Sequence, residues 1–304
     1  MSAPYADRLQ RLRVSLAQSH LDALLVTALP NVRYLSGFTG TNALLLVTAD
    51  EALLLTDFRY AAQVKLEVAP EARVVIEQSS LWVRLWSELR QLPRLEVIAF
   101  ETAHVTHQDA ARFVAADGEG AAWKWRPALN LVEVLRETKD DSELAHIRTA
   151  VQIAEHALAR TLPRVQAGMS ELEVAGILEY EMRHAGSERT AFETIVAAGE
   201  RSALPHARAS AHTINQGDLL LFDFGATSGG YVSDITRTFI VGRAPDARQQ
   251  DVHDVVREAN GSASGGVRAG MRGRDADALA RDYIERRGFG AAFGHSTGHG
   301  IGLE

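Results

Sequence analysis

The 304-residue sequence predicts a small α/β domain followed by a second, internally duplicated domain. Three observations carry that prediction. Short apolar runs alternate with helical stretches through the first 130 residues, the signature of an α/β unit. A two-helix unit then recurs at an offset of 102 residues. Between the two copies, a pair of β-branched runs flanks a Gly-containing turn, and each run carries an aspartate.

In chain order, residues 5–19 have a helical pattern and ALLVT at 23–27 reads as a short buried strand. The runs 43–48 and 52–56, separated by Ala49-Asp50-Glu51, form an expected hairpin. Further strands are expected at 72–76 and 97–100, with helices at 82–91 and 107–116. The composition shifts near Pro127, which places the domain division at 1–130 and 131–304. A strong helix follows, with cap candidates in Asp140-Asp141-Ser142-Glu143 and Leu144, Ile147, Val151, Ala154 and Leu158 on one face. Ser170-Glu171-Leu172-Glu173 is a capping box for the next helix, which Gly186 closes. Ala167-Gly168-Met169 is matched by Ala269-Gly270-Met271, Val165 by Val267, Ala157 by Ala259 and Gly186 by Gly288, all at the same offset.

Composition excludes several function classes. Hydrophobic residues make up 46% and charged residues 23%, so the chain has the means to bury cores. The net charge of −7 does not suggest a nucleic-acid or anionic-membrane partner. The absence of cysteine removes disulfides, thiol nucleophiles and Cys-based zinc sites. No signal-peptide pattern opens the chain, and its apolar runs fall well short of the ~20 residues of a membrane span, so a cytoplasmic protein is expected. HExxH and Gly-Lys-Ser/Thr are missing, and with them the zincin and P-loop readings.

The chemistry concentrates in DLLLFDFGATSGGYVSDITRTFIV, residues 218–241. With the turn centred between Ser228 and Gly229, Asp223 and Asp234 face each other directly across antiparallel strands. Facing carboxylates on a half-buried sheet are unfavourable unless they share a proton or a cation neutralises both. An oxygen-rich site of that kind suits Mn²⁺ or Mg²⁺. The second constellation is Gly294-His295-Ser296-Thr297-Gly298-His299-Gly300-Ile301-Gly302, too glycine-rich for a helix and able to bring backbone and imidazole close to a metal or substrate. The third, Ser202-Ala203-Leu204-Pro205-His206, carries little weight on spacing alone, since a His after Pro in a loop is usually a solvated residue.

Asp223 and Asp234 in DFG…SDITRT, followed by GHSTGHGIGLE, resemble the pita-bread dinuclear metallopeptidases, which include Xaa-Pro dipeptidase (prolidase), aminopeptidase P and methionine aminopeptidase. FETIVAAGERSALPHARAS and RETKDDSELAHIRTA are similar to stretches of the same catalytic domain. NVRYLSGFTGTNALLLV and LLLTDFRY resemble the N-terminal domain of the proline-specific branch, so the likeness covers nearly the whole chain. It implies a pseudo-twofold α+β catalytic domain, in agreement with the repeat. It also implies two divalent metal ions, manganese first and cobalt, zinc or iron as alternatives. Asp223 resembles the ligand of one metal, Asp234 the bridging carboxylate and His299 the single His ligand; His206 and His295 resemble the two active-site histidines. The implied activity is hydrolysis of the bond preceding proline in Xaa-Pro dipeptides or short peptides. The alternatives are Xaa-Pro aminopeptidase activity on longer peptides and a non-peptidase binding member of the fold. A homodimer is expected from the same resemblance. The family uses two further Glu ligands beyond the His-Gly-Ile-Gly motif, whereas this sequence ends at Glu304, which matches neither. The expectation is therefore a catalytic domain truncated by about 45 residues.

Overall fold

A computed structural model describes residues 4–92, 95–116 and 123–304. The chain divides into two compact units, Met1–Asp140 and Asp141–Glu304. No helix among the described residues is long and apolar enough to cross a membrane.

The strands of the first unit are β1 (Ala23–Val26), β2 (Ala43–Thr48), β3 (Ala52–Asp57), β4 (Arg73–Glu77), β5 (Val97–Glu101) and β6 (Lys124–Ala128), in the sheet order β4-β3-β2-β1-β5-β6. β1, β2 and β3 pair antiparallel, and the outer pairs β3–β4, β1–β5 and β5–β6 are parallel. β1 and β2 are buried along their whole length, which is why they read as continuous apolar runs rather than alternating ones. The helices are α1 (Tyr5–Gln18), α2 (Leu29–Ser36), α3 (Val64–Glu67), α4 (Leu81–Leu89), α5 (His107–Ala116) and α6 (Glu133–Glu137). The expected strands, hairpin and helices of this unit are present.

Four elements escaped the pattern reading: α3, a single turn of four residues, and α2, β6 and α6. α2 has Pro at its start and only eight residues. Its entry is capped from a distance: Glu101 on β5 accepts hydrogen bonds from the backbone N–H groups of Thr27 (2.6 Å) and Ala28 (2.8 Å). β6 is KWRPA, a polar edge strand with Pro, the composition that demotes a strand in sequence. α6 belongs to this unit, where Leu135 O accepts from Tyr34 Oη (3.2 Å), and the buried Arg8 reaches Asp140 at 2.7 Å.

The second unit holds α7 (Asp141–Thr161), α8 (Glu171–His184), β7 (Ile195–Ala198), β8 (Leu219–Phe224), β9 (Thr227–Ser228), β10 (Tyr231–Val232), β11 (Ile235–Ile240), α9 (Ala247–Gly266) and α10 (Gly273–Arg286). The repeat is real in three dimensions. Shifted by the sequence offset, the limits of α8 become those of α10, and Gly168/Gly270 and Gly186/Gly288 all have positive φ. That left-handed backbone is open to Gly at little cost, which explains why these positions recur as identities. The capping box at Ser170/Glu173 is formed in both directions, and Asp246/Gln249 makes a second one at α9 that the sequence reading passed over.

The buried stripe of α7 differs from the expected one. It runs through Ala150, Ile153, Ala154, Ala157, Leu158 and Thr161, while Leu144, Ile147 and Val151 are only half-buried. Ala150, Ala154 and Ala157 share that stripe with the larger Ile153 and Leu158, so the buried face is rotated away from Leu144 and Ile147. The core joins this stripe to Val174 and Leu178 of α8 and to Phe222 and Phe224 of β8. β7, β8 and β11 form an antiparallel sheet in the order β11-β8-β7.

Candidate metal centre

β8 alternates cleanly. Leu220, Phe222 and Phe224 are buried in the core beneath the helices, and Leu219, Leu221 and Asp223 lie on the opposite face, half-buried. Asp223 is therefore carried on the open face of the sheet by a strand whose other face is locked into the core. On that strand it is flanked by Ile195 of β7 and Thr236 of β11.

That register corrects the expected pairing. Asp223 faces Thr236, not Asp234. The turn is centred on Gly229-Gly230, one position later than expected. Both glycines have positive φ (57° and 79°), the demand of a tight two-residue hairpin turn whose twist matches that of the strands. Nor is Asp234 a strand-interior residue. Ser233 and Asp234 lie between β10 and β11, opposite the break at Gly225-Ala226, and Asp234 is exposed. Sliding a hairpin by two positions preserves the faces, so Asp223 and Asp234 still share one side of the sheet as diagonal rather than direct neighbours.

Gly225 makes this approach possible. A Cβ at that position would stand 1.9 Å from Ser233 O and 2.7 Å from Ala191 Cβ. Ser233 N donates to Ala226 O at 2.9 Å, and Ala191 N donates to Gly225 O at 2.8 Å, so the backbone is held tightly on both sides.

The electrostatics agree with a crowded pair. Burial, then the neighbouring Asp234 charge, push the Asp223 carboxyl above its ordinary range, while the hydrogen bond donated by Thr236 Oγ1 (3.1 Å) and the nearby His206 pull the other way. His299 Nε2 lies 3.4 Å from Asp234 Oδ2. Among the described residues neither carboxylate is paired with Lys or Arg. The structure thus brings Asp223, Asp234, His206 and His299 into one region.

His295 is placed differently. Its ring packs edge-on against Phe293 (4.9 Å between centroids), its Nδ1 lies 2.8 Å from Ser296 O, and its carbonyl accepts from Arg281 Nη2 at 2.7 Å. These contacts tie it to α10 rather than to the carboxylates. The 293–299 segment is braced by that helix: Arg281 Nη1 also donates to Phe293 O (3.0 Å), and Asp277 Oδ1 accepts from Thr297 N (2.8 Å) and Thr297 Oγ1 (2.7 Å). Arg281, then Thr297, hold the Asp277 carboxyl far below the usual carboxylate range. Val232 N donates to Gly302 O at 2.8 Å, fastening the end of the same segment to β10.

Two carboxylates without a cationic partner and an adjacent imidazole make a mixed oxygen/nitrogen donor set, and in donor type it fits a divalent cation. Among the described residues no three His, Cys, Asp or Glu side chains already converge as a cage. Sequence reasoning missed Thr236, which only the corrected register brings to Asp223, and Gly225, whose role depends on a backbone across the hairpin. It also missed Asp277 and Arg281, whose helical i,i+4 spacing was the available signal.

Residues 145–304 match the Metallopeptidase family M24, and residues 8–138 match the Creatinase/Prolidase N-terminal domain. The chain is 37% identical over 297 residues to an uncharacterized peptidase, YqhT, of Bacillus subtilis, covering 98% of this chain and 82% of the relative. It is 30% identical over 305 residues to an Xaa-Pro dipeptidase of Pyrococcus horikoshii, with the same two coverages. A solved Xaa-Pro dipeptidase from Bacillus anthracis superposes with a TM-score of 0.92 at 38% identity, covering 99% of this chain and 82% of that one.

Proposed function

The chain belongs to metallopeptidase family M24, and on that premise we propose that it hydrolyses the peptide bond preceding proline in Xaa-Pro dipeptides. The observation that supports this most directly is the likeness to Xaa-Pro dipeptidases over nearly the whole chain, N-terminal domain included. Within that reading Asp223, Asp234 and His299 are the residues that would hold the divalent metal ions the family implies. Manganese suits the carboxylate-rich set, with cobalt, zinc or iron as alternatives. When bound, such ions supply Lewis-acid polarisation of a carbonyl and lower the pKa of a water molecule.

The remaining roles fall to the chain's own side chains. His206, exposed at the tip of its loop, is available to donate a hydrogen bond to the oxygen that gains charge as the scissile carbonyl becomes tetrahedral. His295, four residues before His299 in an irregular segment, is assigned to the wall of the substrate pocket. Asp223, held on a strand whose other face is packed into the core, would offer a metal ion a carboxylate in a fixed position. An Xaa-Pro bond has no amide N–H, so selection rests on the shape of the pyrrolidine ring rather than on a donated hydrogen bond. A homodimer and a cytoplasmic location belong to the same proposal.

The test is hydrolysis of Gly-Pro with Mn²⁺ or Co²⁺ against an Xaa-Pro-Xaa tripeptide of matched first residue. The proposal expects the higher kcat/KM on the dipeptide; a preference for the tripeptide would move the chain to the aminopeptidase branch.

A further inference from the structure

We propose that Glu171 is a positioning residue for His206: a buried carboxylate that staples together the two stems of the loop on which His206 stands. This deepens the assignment of His206 above and rests on that assignment for its catalytic consequence.

Glu171 is the first residue of α8 and is fully buried. Its side chain was passed over in sequence because Glu173 plays the recognisable capping role two positions later. The described hydrogen bonds of the Glu171 carboxylate run to the two stems of one loop, residues 199–210. On the incoming side Oε1 accepts from Ala198 N (2.9 Å), the last residue of β7. Arg201 Nε donates to both oxygens, at 3.0 and 3.1 Å. On the outgoing side Oε2 accepts from Ser210 N (3.1 Å) and Ser210 Oγ (2.7 Å). The backbone of α8 adds a second seam, with Glu171 N donating to His212 O and Leu172 N to Ser210 O, each at 3.0 Å.

The loop between these stems is internally stiff. Arg201, while bound to Glu171, also donates from Nη2 to Arg208 O (2.7 Å), crossing from one stem to the other. Turns close from Leu204 N to Arg201 O and from Ala207 N to Leu204 O. Ala207 is buried, so the exposed His206 sits beside a plugged position. Every group aimed at Glu171 is a donor, and a carboxylate, which only accepts, satisfies them all; a neutral amide of the same shape cannot. Burial opposes ionisation of Glu171, but Ala198 N, then Ser210 and Arg201, outweigh it and hold the carboxyl below its ordinary range. Because reacting groups misplaced by about 1 Å can lose roughly 100-fold in rate, the clamp bears on turnover as well as stability.

The test compares Glu171→Gln with the parent chain, alone and in a His206→Ala background, at a temperature where circular dichroism shows each variant folded. Native-state hydrogen exchange is the first readout. The hydrogen-bonded amides of Ala198, Leu204, Ala207 and Ser210 are expected to exchange about 10- to 100-fold faster in Glu171→Gln, while Leu178 in the middle of α8 is unchanged. Equal acceleration at both, or none, overturns the clamp. The second readout is paramagnetic broadening of the His206 imidazole resonances by added Mn²⁺, expected in the parent and reduced in Glu171→Gln. Undiminished broadening overturns the proposal. In kinetics on Gly-Pro, Glu171→Gln is expected to lower kcat/KM by about 100-fold in the parent and by less than about twofold on top of His206→Ala. Equal losses in both backgrounds overturn it. If His206→Ala leaves hydrolysis unchanged, it is the assignment of His206 that falls, and the exchange result still decides whether Glu171 holds the loop.

Discussion

Replacing Gly225 with alanine puts a single methyl group where the hairpin has no room for it. The added Cβ would lie 1.9 Å from Ser233 O and 2.7 Å from Ala191 Cβ, and neither neighbour is the free end of a flexible side chain. To restore an ordinary contact the backbone must retreat by more than 1 Å on the Ser233 side, a distance that follows from typical carbon–oxygen contacts near 3.3 Å. That retreat weakens Ser233 N to Ala226 O and Ala191 N to Gly225 O, each worth about 1 kcal/mol net. Overpacking adds about 1–3 kcal/mol. The expected loss is about 3 kcal/mol in urea unfolding, against the modest gain that Gly→Ala brings in an unconstrained strand. Because Ser233 precedes Asp234, the same displacement should weaken Mn²⁺ binding, measured by calorimetry. Gly176→Ala is the internal control: Gly176 sits on the exposed side of α8, and a Cβ there meets no described atom within 4 Å, so stability should rise by about 1 kcal/mol. A Gly225→Ala chain as stable as the parent, with unaltered Mn²⁺ affinity, would refute the close-approach argument.

Three further predictions concern the site, the caps and pH. Mn²⁺ should raise the Tm of the parent chain and lose that effect in Asp234→Asn, read by scanning calorimetry with and without chelator; an equal rise in both would remove Asp234 from the ligand set. Ser170→Ala should cost about 1 kcal/mol, since Ser170 Oγ accepts from Glu173 N and the reciprocal bond returns from Ser170 N to Glu173, and chemical unfolding would detect it. Burial, with Glu133 nearby, raises the Glu101 carboxyl despite its bonds from Ala28, Asn31 and Thr27. A folded-state pKa above the unfolded value means the native state holds the proton more tightly. Its contribution is therefore full below the ordinary carboxylate pKa and is lost as pH rises through the raised one. Glu101→Gln should flatten that segment of the stability–pH curve, and an unchanged slope would refute the assignment.

Much of this protein is determined locally and could be read without coordinates. β1 to β3 are apolar runs because they are buried on both faces, and the Ser170 capping box is a four-residue pattern that forms as written. The helical repeat is visible because Gly168, Gly186, Gly270 and Gly288 need a backbone conformation that other residues resist. Residue types likewise singled out Asp223 and Asp234 as a carboxylate pair and the glycine-rich segment of His295 and His299 as a candidate source of an imidazole, while the choice of His299 came from the family resemblance. Tertiary structure decided the rest. The hairpin register depends on which two residues take positive φ, a choice that Thr227-Ser228-Gly229-Gly230 leaves open in sequence, and it settled that Asp223 faces Thr236. α2 and β6 carry weak local signals and are held by Glu101 and by pairing with β5, partners far away in the chain. Glu171 shows the contrast most sharply. In sequence it is one of two glutamates at a helix start, and only the folded chain brings Ala198, Arg201 and Ser210 to it, because a buried carboxylate is defined by the donors that surround it.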